Sequence, residues 1–207
     1  MRGLYAVTPG IPDTEALLRQ VEDALSGGVR IVQYRNKTAT PELKRAQARA
    51  LKALCDQRGT ALIINDHVDL AAEVDATGVH LGAEDGGVRE ARHALGADKL
   101  IGISCYNRVD LARTAVAQGA DYVAFGSFFP SRVKPGALHA SLELLVDARR
   151  EITVPIVAIG GITIENAPAL VHAGADALAV ISALFDVPDV IAAARAFSAL
   201  FDSRSPS

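Results

Sequence analysis

Short apolar runs alternate eight times with longer amphipathic stretches along this chain. The runs predict strands at Leu4–Thr8, Ile31–Arg35, Ala61–Asn65, Gly78–Leu81, Leu100–Ser104, Tyr122–Gly126, Pro155–Ile159 and Ala177–Ile181. The stretches between them predict helices at Asp13–Ser26, Pro41–Arg58, Val68–Val74, Val88–Leu95, Arg108–Gln118, Leu142–Arg150, Ile164–Ala173 and Pro188–Phe201. Strands that are apolar on nearly every residue are typical of a parallel sheet covered on both faces. The pattern therefore predicts an α/β fold, a single (β/α)8 barrel with a closed parallel sheet.

The chain length fits one barrel of this kind. It has 207 residues, of which 50% are hydrophobic, and this is enough for one large core. We expect a single domain over 1–201 and a polar, disordered tail over 202–207. An open doubly wound sheet is the alternative that the pattern alone leaves open.

The charge balance argues against a nucleic-acid or membrane partner. The formal net charge is -3, so an anionic ligand has to be held by locally concentrated cations. No apolar run reaches the ~20 residues that span a bilayer, and Met1–Val7 is too short for a signal peptide. Cys55 and Cys105 lack metal-ligand spacing, and we expect reduced thiols in a cytoplasmic protein.

Glycines mark the junctions between the predicted helices and the strands that follow. Left-handed helix ends are predicted at Gly28, Gly59, Gly96, Gly119 and Gly174. The sequence Gly-Ala-Asp occurs at two of these junctions, ending at Asp121 and Asp176. We interpret this repeat as a shared helix-to-strand turn rather than a duplicated half-barrel.

Polar residues and one glycine pair gather at or after the carboxyl ends of the predicted strands, where barrels of this class carry their active sites. These residues are Gln33, Arg35, Lys37, Asn65, Asp66, Glu84, Asp85, Ser104, Ser131, Lys134, Gly160, Gly161 and Ser182. Asp66 and Asp85 follow neighbouring strands, so both carboxylates can reach one hard cation such as Mg²⁺. In the alternative, Asp66 only caps the helix that follows it.

Basic residues and a glycine pair complete the predicted site. Arg35, Lys37 and Lys134 can neutralise a diphosphate, although each could also be an ordinary surface cation. Gly160 and Gly161 follow the seventh strand, where backbone amides bind phosphate in many barrels. The five histidines show no metal-ligand spacing, and we interpret them as structural, with His80 pointing into or behind the barrel wall.

These motifs together resemble the thiamine-phosphate synthase family over nearly the whole chain. The matching segments are 33–37, 64–66, 78–82 with Glu84 and Asp85, 103–104, 126–134, 158–162 and 180–182. The resemblance implies a C–N bond-forming transferase that condenses an aminopyrimidine diphosphate with a thiazole phosphate in thiamine biosynthesis. It also implies small-molecule substrates, Mg²⁺ as the cofactor and a possible homo-oligomer.

The resemblance assigns a role to each site residue. It implies that the aminopyrimidine and its diphosphate are bound by Gln33, Tyr34, Arg35, Asn36, Lys37, Asn65, Ser104 and Lys134. The thiazole phosphate would be held by Ser131, Arg132, Val133, Gly160, Gly161, Ile181 and Ser182. Arg35, Lys37, Ser104 and Lys134 form the implied catalytic set, and Asp66 and Asp85 the metal ligands.

The chain departs from the common family motif at several positions. Tyr34 and Asn36 replace leucine and glutamate, and Val133 replaces a threonine. Cys105 and Tyr106 replace a threonine–histidine pair. Three alternatives stay open: a thiazole tautomerase-like paralogue, a non-catalytic barrel that senses a phosphate ligand, and, less favoured, a sugar-phosphate isomerase, for which no general base stands out.

Overall fold

Eight parallel strands form a closed barrel in a computed structural model that describes residues 1–82, 86–130 and 140–202. The strands are β1 Gly3–Val7, β2 Ile31–Tyr34, β3 Ala61–Asn65, β4 Gly78–Leu81, β5 Leu100–Tyr106, β6 Tyr122–Phe125, β7 Ile156–Ile159 and β8 Ala177–Val180. They pair in sequence order, and β8 pairs back with β1. This closure confirms the predicted fold and excludes the open sheet.

Helices follow the strands around the outside of the barrel. They are α1 Thr14–Ser26, α2 Pro41–Arg58, α3 Val68–Glu73, α4 Val88–Leu95, α5 Val109–Ala117, α6 Leu142–Glu151, α7 Ala167–His172, α8 Ser182–Phe185 and α9 Val190–Asp202. Most element ends differ from the sequence prediction by two residues or fewer. The larger differences are that α7 begins at Ala167 rather than Ile164 and that the four-residue α8 was not predicted. Among the described residues, no helix is both long and apolar enough to cross a membrane.

Alternate residues of each strand face two separate cores, as strand geometry requires. On β1, Leu4 and Ala6 pack outward against the helices, whereas Tyr5 and Val7 point into the barrel. The inner core also contains Ile31, Ile63, Tyr122, Ala124, Val157, Ala177 and Ala179. Large side chains fill the barrel at Tyr5 and Tyr122, and small ones leave space nearer the carboxyl ends of β6 and β8.

The repeated Gly-Ala-Asp junction has the same structure at both positions. Asp176 accepts hydrogen bonds from the Ile156 backbone N–H at 2.8 Å and from Arg149 at 2.7 Å. Asp121 accepts from the Ile101 backbone N–H at 2.7 Å and from an arginine of α4 at 2.6 Å. Each aspartate thus ties a helix to the start of the preceding strand, which confirms the shared-turn interpretation.

All five of the predicted glycines have positive φ, although Gly96 combines φ 84° with ψ -178° and is not in the left-handed helical conformation. Gly59 shows the arrangement most clearly: it ends α2 with φ 61° and ψ 33°. A side chain at Gly59 would meet no atom within 4 Å. The only requirement at this position is therefore the backbone conformation.

Candidate active site

A cavity of about 380 Å³ opens inside the barrel near the carboxyl ends of the strands. Its polar lining includes Gln33, Arg35, Asn65, His80, Ser104 and Ser127, and its apolar lining includes Val7, Ala124, Val157, Ala179 and Ile181. These residues come from every strand of the barrel. Side chains from all eight strands thus line one cavity.

A smaller cavity of about 190 Å³ adjoins the first and shares Asn65 with it. Its lining includes Lys37, Lys44, Asp66 and His67. The Lys37 ammonium lies 3.8 Å from an Asp66 carboxylate oxygen, and Lys44 lies 3.0 Å from the His67 ring. Cationic and acidic groups thus meet beside the polar wall of the larger cavity.

Asp66 has an unusual backbone conformation, with φ 65°. Such a conformation is uncommon for residues other than glycine, although aspartate tolerates it better than most. The Asp66 N–H donates to the His80 carbonyl of the neighbouring strand at 2.9 Å. The N-cap position of α3 is His67, which makes no side-chain cap hydrogen bond, and Asp66 lies one residue before it.

A continuous chain of hydrogen bonds crosses the floor of the larger cavity. Gln33 Nε2 donates to the Tyr5 hydroxyl at 2.7 Å, and the Tyr5 and Tyr122 hydroxyls are 2.9 Å apart. Tyr122 lies 3.0 Å from His80 Nδ1, and His80 Nε2 lies 2.9 Å from Ser104 Oγ. Burial raises the pKa of both tyrosines well above the ordinary value, so they stay neutral hydroxyls.

Comparison with known proteins decides the family. A sequence model described as "Thiamine monophosphate synthase" matches residues 4–184. A thiamine-phosphate synthase of Thiobacillus denitrificans is 55% identical over 96% of this chain and 94% of its own length. One of Azoarcus sp. is 54% identical over 97% of this chain and 98% of its own length. The chain belongs to the thiamine-phosphate synthase family.

A solved structure supports this assignment. The thiamine phosphate pyrophosphorylase of Pyrococcus furiosus superposes with a TM-score of 0.87 at 33% identity, covering 97% of this chain and 95% of its own. Both the sequence and the barrel therefore match the thiamine-phosphate synthase family over nearly the full length.

Within this thiamine-phosphate synthase fold, most of the predicted pyrimidine-side residues lie together. Gln33, Arg35, Asn65 and Ser104 line the larger cavity, and Lys37 lines the smaller one. The backbone of Arg35 is held by Thr8, whose hydroxyl accepts from the Arg35 N–H at 2.9 Å. Thr8 is fully buried, so it fixes the loop after β2 from behind.

Tyr34 and Asn36 have a structural explanation that the sequence did not reveal. Tyr34 packs in the outer core, and its hydroxyl donates to Gln47 Oε1 of α2 at 2.9 Å. Asn36 donates to the same oxygen at 3.1 Å. Both residues line the smaller cavity, but these polar groups point to a buried glutamine. The two departures from the family motif thus form one network that positions the loop carrying Arg35 and Lys37.

The glycine pair lies where the thiamine-phosphate synthase motif predicts a phosphate loop. Gly160 lines the larger cavity, and a side chain on it would lie 2.1 Å from Ser127 Oγ. Gly161 has φ 62°, and a side chain on it would lie 2.5 Å from the Pro130 carbonyl oxygen and 2.6 Å from that of Phe129. Ile181 lines the same cavity, and Ser182 begins α8.

Several predicted residues lie outside the described part of the chain. They are Glu84, Asp85, Ser131, Arg132, Val133 and Lys134. Within residues 1–82, 86–130 and 140–202, no group of three or more His, Cys, Asp or Glu residues could hold a metal ion. Of the two predicted metal ligands, only Asp66 lies in the described part of the chain.

Sequence reasoning missed the residues of the cavity floor. The sequence predicts Tyr5 and Tyr122 only as strand residues and His80 as structural, yet all three form the hydrogen-bonded chain to Ser104. A usable signal was present: three polar-tipped residues occupy inward positions of strands that are otherwise apolar. A buried hydroxyl or imidazole on such a position needs partners within the barrel.

Proposed function

We propose that this chain catalyses the thiamine-phosphate synthase reaction. A nitrogen of the thiazole phosphate attacks the methylene carbon of 4-amino-2-methyl-5-hydroxymethylpyrimidine diphosphate. The C–N bond forms, the C–O bond to the diphosphate breaks, and the diphosphate leaves with the electron pair of that bond. The observation that carries the proposal is the Lys37–Asp66 pair beside a ring-sized cavity in a barrel of this family.

The larger cavity suits the aminopyrimidine ring. Its apolar walls, Val7, Val157 and Ala179, can pack against a flat heterocycle, and Gln33 and Ser104 offer polar groups to its nitrogen atoms. A pocket with mostly apolar walls and a few fixed polar groups is typical of small-molecule sites. The ring would thus be oriented before the second substrate attacks, which contributes to catalysis by alignment.

The leaving diphosphate would be held beside this ring by Arg35 and Lys37, with Lys134 as the third proposed cation. Arginine can grip phosphate oxygens with two parallel hydrogen bonds, and lysine adds a mobile charge. Because the leaving group gains negative charge as the C–O bond breaks, these cations stabilise the transition state more than the ground state. Arg35, Lys37 and Lys134, together with Ser104, are the proposed catalytic residues.

The donor set fits a magnesium ion better than a transition metal. Asp66 offers hard carboxylate oxygen at the edge of the smaller cavity, and Asp85 is the proposed second ligand. Mg²⁺ is commonly bound through one or two carboxylates together with water and substrate phosphates. When bound, the ion supplies positive charge that neutralises the diphosphate. Lys37 lies within ion-pair distance of Asp66, so its ammonium could contact the same diphosphate that Asp66 would reach through the ion.

The thiazole phosphate is assigned to the loops after β7 and β8. Gly160 and Gly161 allow close backbone approach, and the short helix α8 starts directly after β8. Phosphate sites in (β/α)8 barrels recur at these two loops and at the start of a short extra helix. We assign Ser131, Arg132 and Val133, together with Ile181 and Ser182, to the same subsite. This arrangement would bring the phosphate-bearing thiazole to the mouth of the pyrimidine cavity.

The competing functions make different demands on the same residues. A tautomerase-like paralogue releases no diphosphate and has no need for Asp66 beside Lys37. A sensing barrel requires the phosphate loop but no Mg²⁺. The family relatives named above are thiamine-phosphate synthases, and this favours the synthase over both.

The test is to incubate the purified protein with both substrates and Mg²⁺ and to measure thiamine phosphate and diphosphate. We expect both products in equal amounts, and their absence would refute the proposed function. Asp66→Asn should lower turnover by about a hundredfold, a loss of about 2.7 kcal/mol in transition-state stabilisation, and raise the Mg²⁺ concentration needed. Asp69→Asn, an equal charge change in the first turn of α3, is the matched control and should behave as wild type. If Asp66→Asn keeps its turnover and its Mg²⁺ response, the metal assignment is wrong.

A further inference from the structure

The hydrogen-bonded chain in the cavity floor has a direction that can be worked out from its donors and acceptors. It joins Gln33, Tyr5, Tyr122, His80 and Ser104 through four contacts of 2.7–3.0 Å. Tyr5 and Tyr122 are 1% and 0% exposed, so water cannot satisfy their hydroxyls. A buried hydroxyl left without a partner costs about 1–3 kcal/mol.

The Gln33 amide fixes the first step. Its N–H donates to the Tyr5 oxygen, so the Tyr5 proton is free to be donated to the oxygen of Tyr122. Tyr122 then donates its own proton to His80 Nδ1. His80 therefore carries its proton on Nε2 and donates it to Ser104 Oγ. A protonated imidazole would place two donors face to face and leave one buried hydroxyl proton without an acceptor.

We infer that Tyr122 and His80 are positioning residues that hold the Ser104 hydroxyl as a donor toward the substrate cavity. Because Ser104 accepts from His80, its own proton is available to an acceptor in the cavity that it lines. The Gln33 amide oxygen has no donor among the described residues, so it can accept from a ligand. The Ser104 donor and the Gln33 acceptor thus match an aminopyrimidine, which offers an acceptor nitrogen and a donor amino group.

The close packing around Tyr122 fixes the orientation of its ring. A side chain at Gly102 would lie 1.9 Å from Tyr122 Cζ, so the ring occupies space that only glycine leaves open. The His80 ring stacks on the Tyr122 ring with centroids 5.5 Å apart, and the Tyr5 ring meets it edge-on at 6.2 Å. The three rings restrict one another's motion, which keeps the hydroxyl and imidazole groups within hydrogen-bonding distance.

The direction of the chain can be measured without any turnover. Long-range ¹H–¹⁵N correlation spectra of histidine-labelled protein distinguish the two neutral imidazole tautomers, and His80→Gln identifies the His80 signal. We expect the Nε2–H tautomer in the wild type and in Tyr5→Phe, where Tyr122 still donates to His80. Tyr122→Phe removes that donor and should give a mixture of tautomers. An Nδ1–H tautomer in the wild type would overturn the inference, because the chain would then run the other way.

The consequence for binding rests on the proposed function and has its own readout. Tyr122→Phe should raise the KM for the pyrimidine diphosphate about tenfold, equivalent to one misdirected hydrogen bond of about 1.4 kcal/mol, and leave the KM for the thiazole phosphate unchanged. Tyr5→Phe, which removes an equally buried hydroxyl, should have a clearly smaller effect.

A double-substitution cycle separates positioning from packing. If Tyr122 acts through Ser104, the double variant Ser104→Ala/Tyr122→Phe should bind the pyrimidine no worse than Ser104→Ala alone. Additive losses, or equal effects of Tyr5→Phe and Tyr122→Phe, would show that the floor only fills space. A wild type that makes no thiamine phosphate but shows the Nε2–H tautomer would refute the proposed function while the direction of the chain stands.

Discussion

Replacing Gly161 by alanine should destabilise the fold and weaken thiazole-phosphate binding together. Gly161 has φ 62°, and a left-handed conformation costs an alanine about 1–2 kcal/mol. The added methyl group would also lie 2.5 Å and 2.6 Å from two backbone carbonyl oxygens, those of Pro130 and Phe129. Overpacking of this kind typically costs about 1–3 kcal/mol. We therefore expect a total loss of about 2–5 kcal/mol in the free energy of unfolding.

Gly59 provides a matched control because its φ is 61° and a side chain there would meet nothing within 4 Å. Gly59→Ala should lose only the conformational part, about 1–2 kcal/mol, and should leave the thiazole-phosphate KM unchanged because Gly59 precedes β3 at the opposite end of the barrel. Urea unfolding with linear extrapolation measures both losses. Two outcomes would contradict a close contact of Gly161 with Phe129 and Pro130. The first is that both variants lose the same free energy of unfolding within about 0.5 kcal/mol. The second is that Gly161→Ala, like Gly59→Ala, leaves the thiazole-phosphate KM unchanged.

Two further predictions concern the stability of the barrel. Asp121→Ala and Asp176→Ala should each lower the free energy of unfolding by about 1–3 kcal/mol, since each leaves a strand N–H and an arginine without their acceptor. The losses should add within about 0.5 kcal/mol in the double variant. Strong non-additivity in urea unfolding would contradict two independent junctions. Burial raises the pKa of Cys55 and Cys105 from 9.0 to about 12, so the folded state keeps protons that the unfolded chain releases. The free energy of unfolding should therefore fall as the pH rises from about 9 to about 12. In the double variant Cys55→Ala/Cys105→Ala, the free energy measured by thermal unfolding should fall less steeply with pH. Identical pH profiles would exclude a contribution from these thiols.

The barrel was predictable because its signal is repeated and local. Each strand is a short apolar run, and each junction before a strand has its own punctuation, such as the left-handed Gly59. Errors occurred where the signal was weak. The four residues of α8 are too few to show a helical period, and Ile164 is apolar but lies before the first turn of α7.

The candidate site was predictable only in part, for a physical reason. Residues such as Arg35 and Asn65 follow strands, and the fold itself brings strand ends together. In contrast, the link of Tyr34 and Asn36 to Gln47 depends on the rotation of α2 against β2, which no short motif encodes. The same holds for the bond between Tyr5 and Tyr122, whose partners are 117 positions apart in sequence.

The two buried tyrosines also determine how molecules can move through this enzyme. Because Tyr5 and Tyr122 occupy the barrel axis below the cavity, the interior is a blind well rather than a channel. Whatever binds against Gln33 and Ser104 must arrive through the rim at which Lys37 and Gly160 lie, and it must depart past the same residues. In the proposed arrangement the second reactant covers a ring seated at the bottom, so the pyrimidine diphosphate should bind before the thiazole phosphate, and the joined product should leave past the same rim.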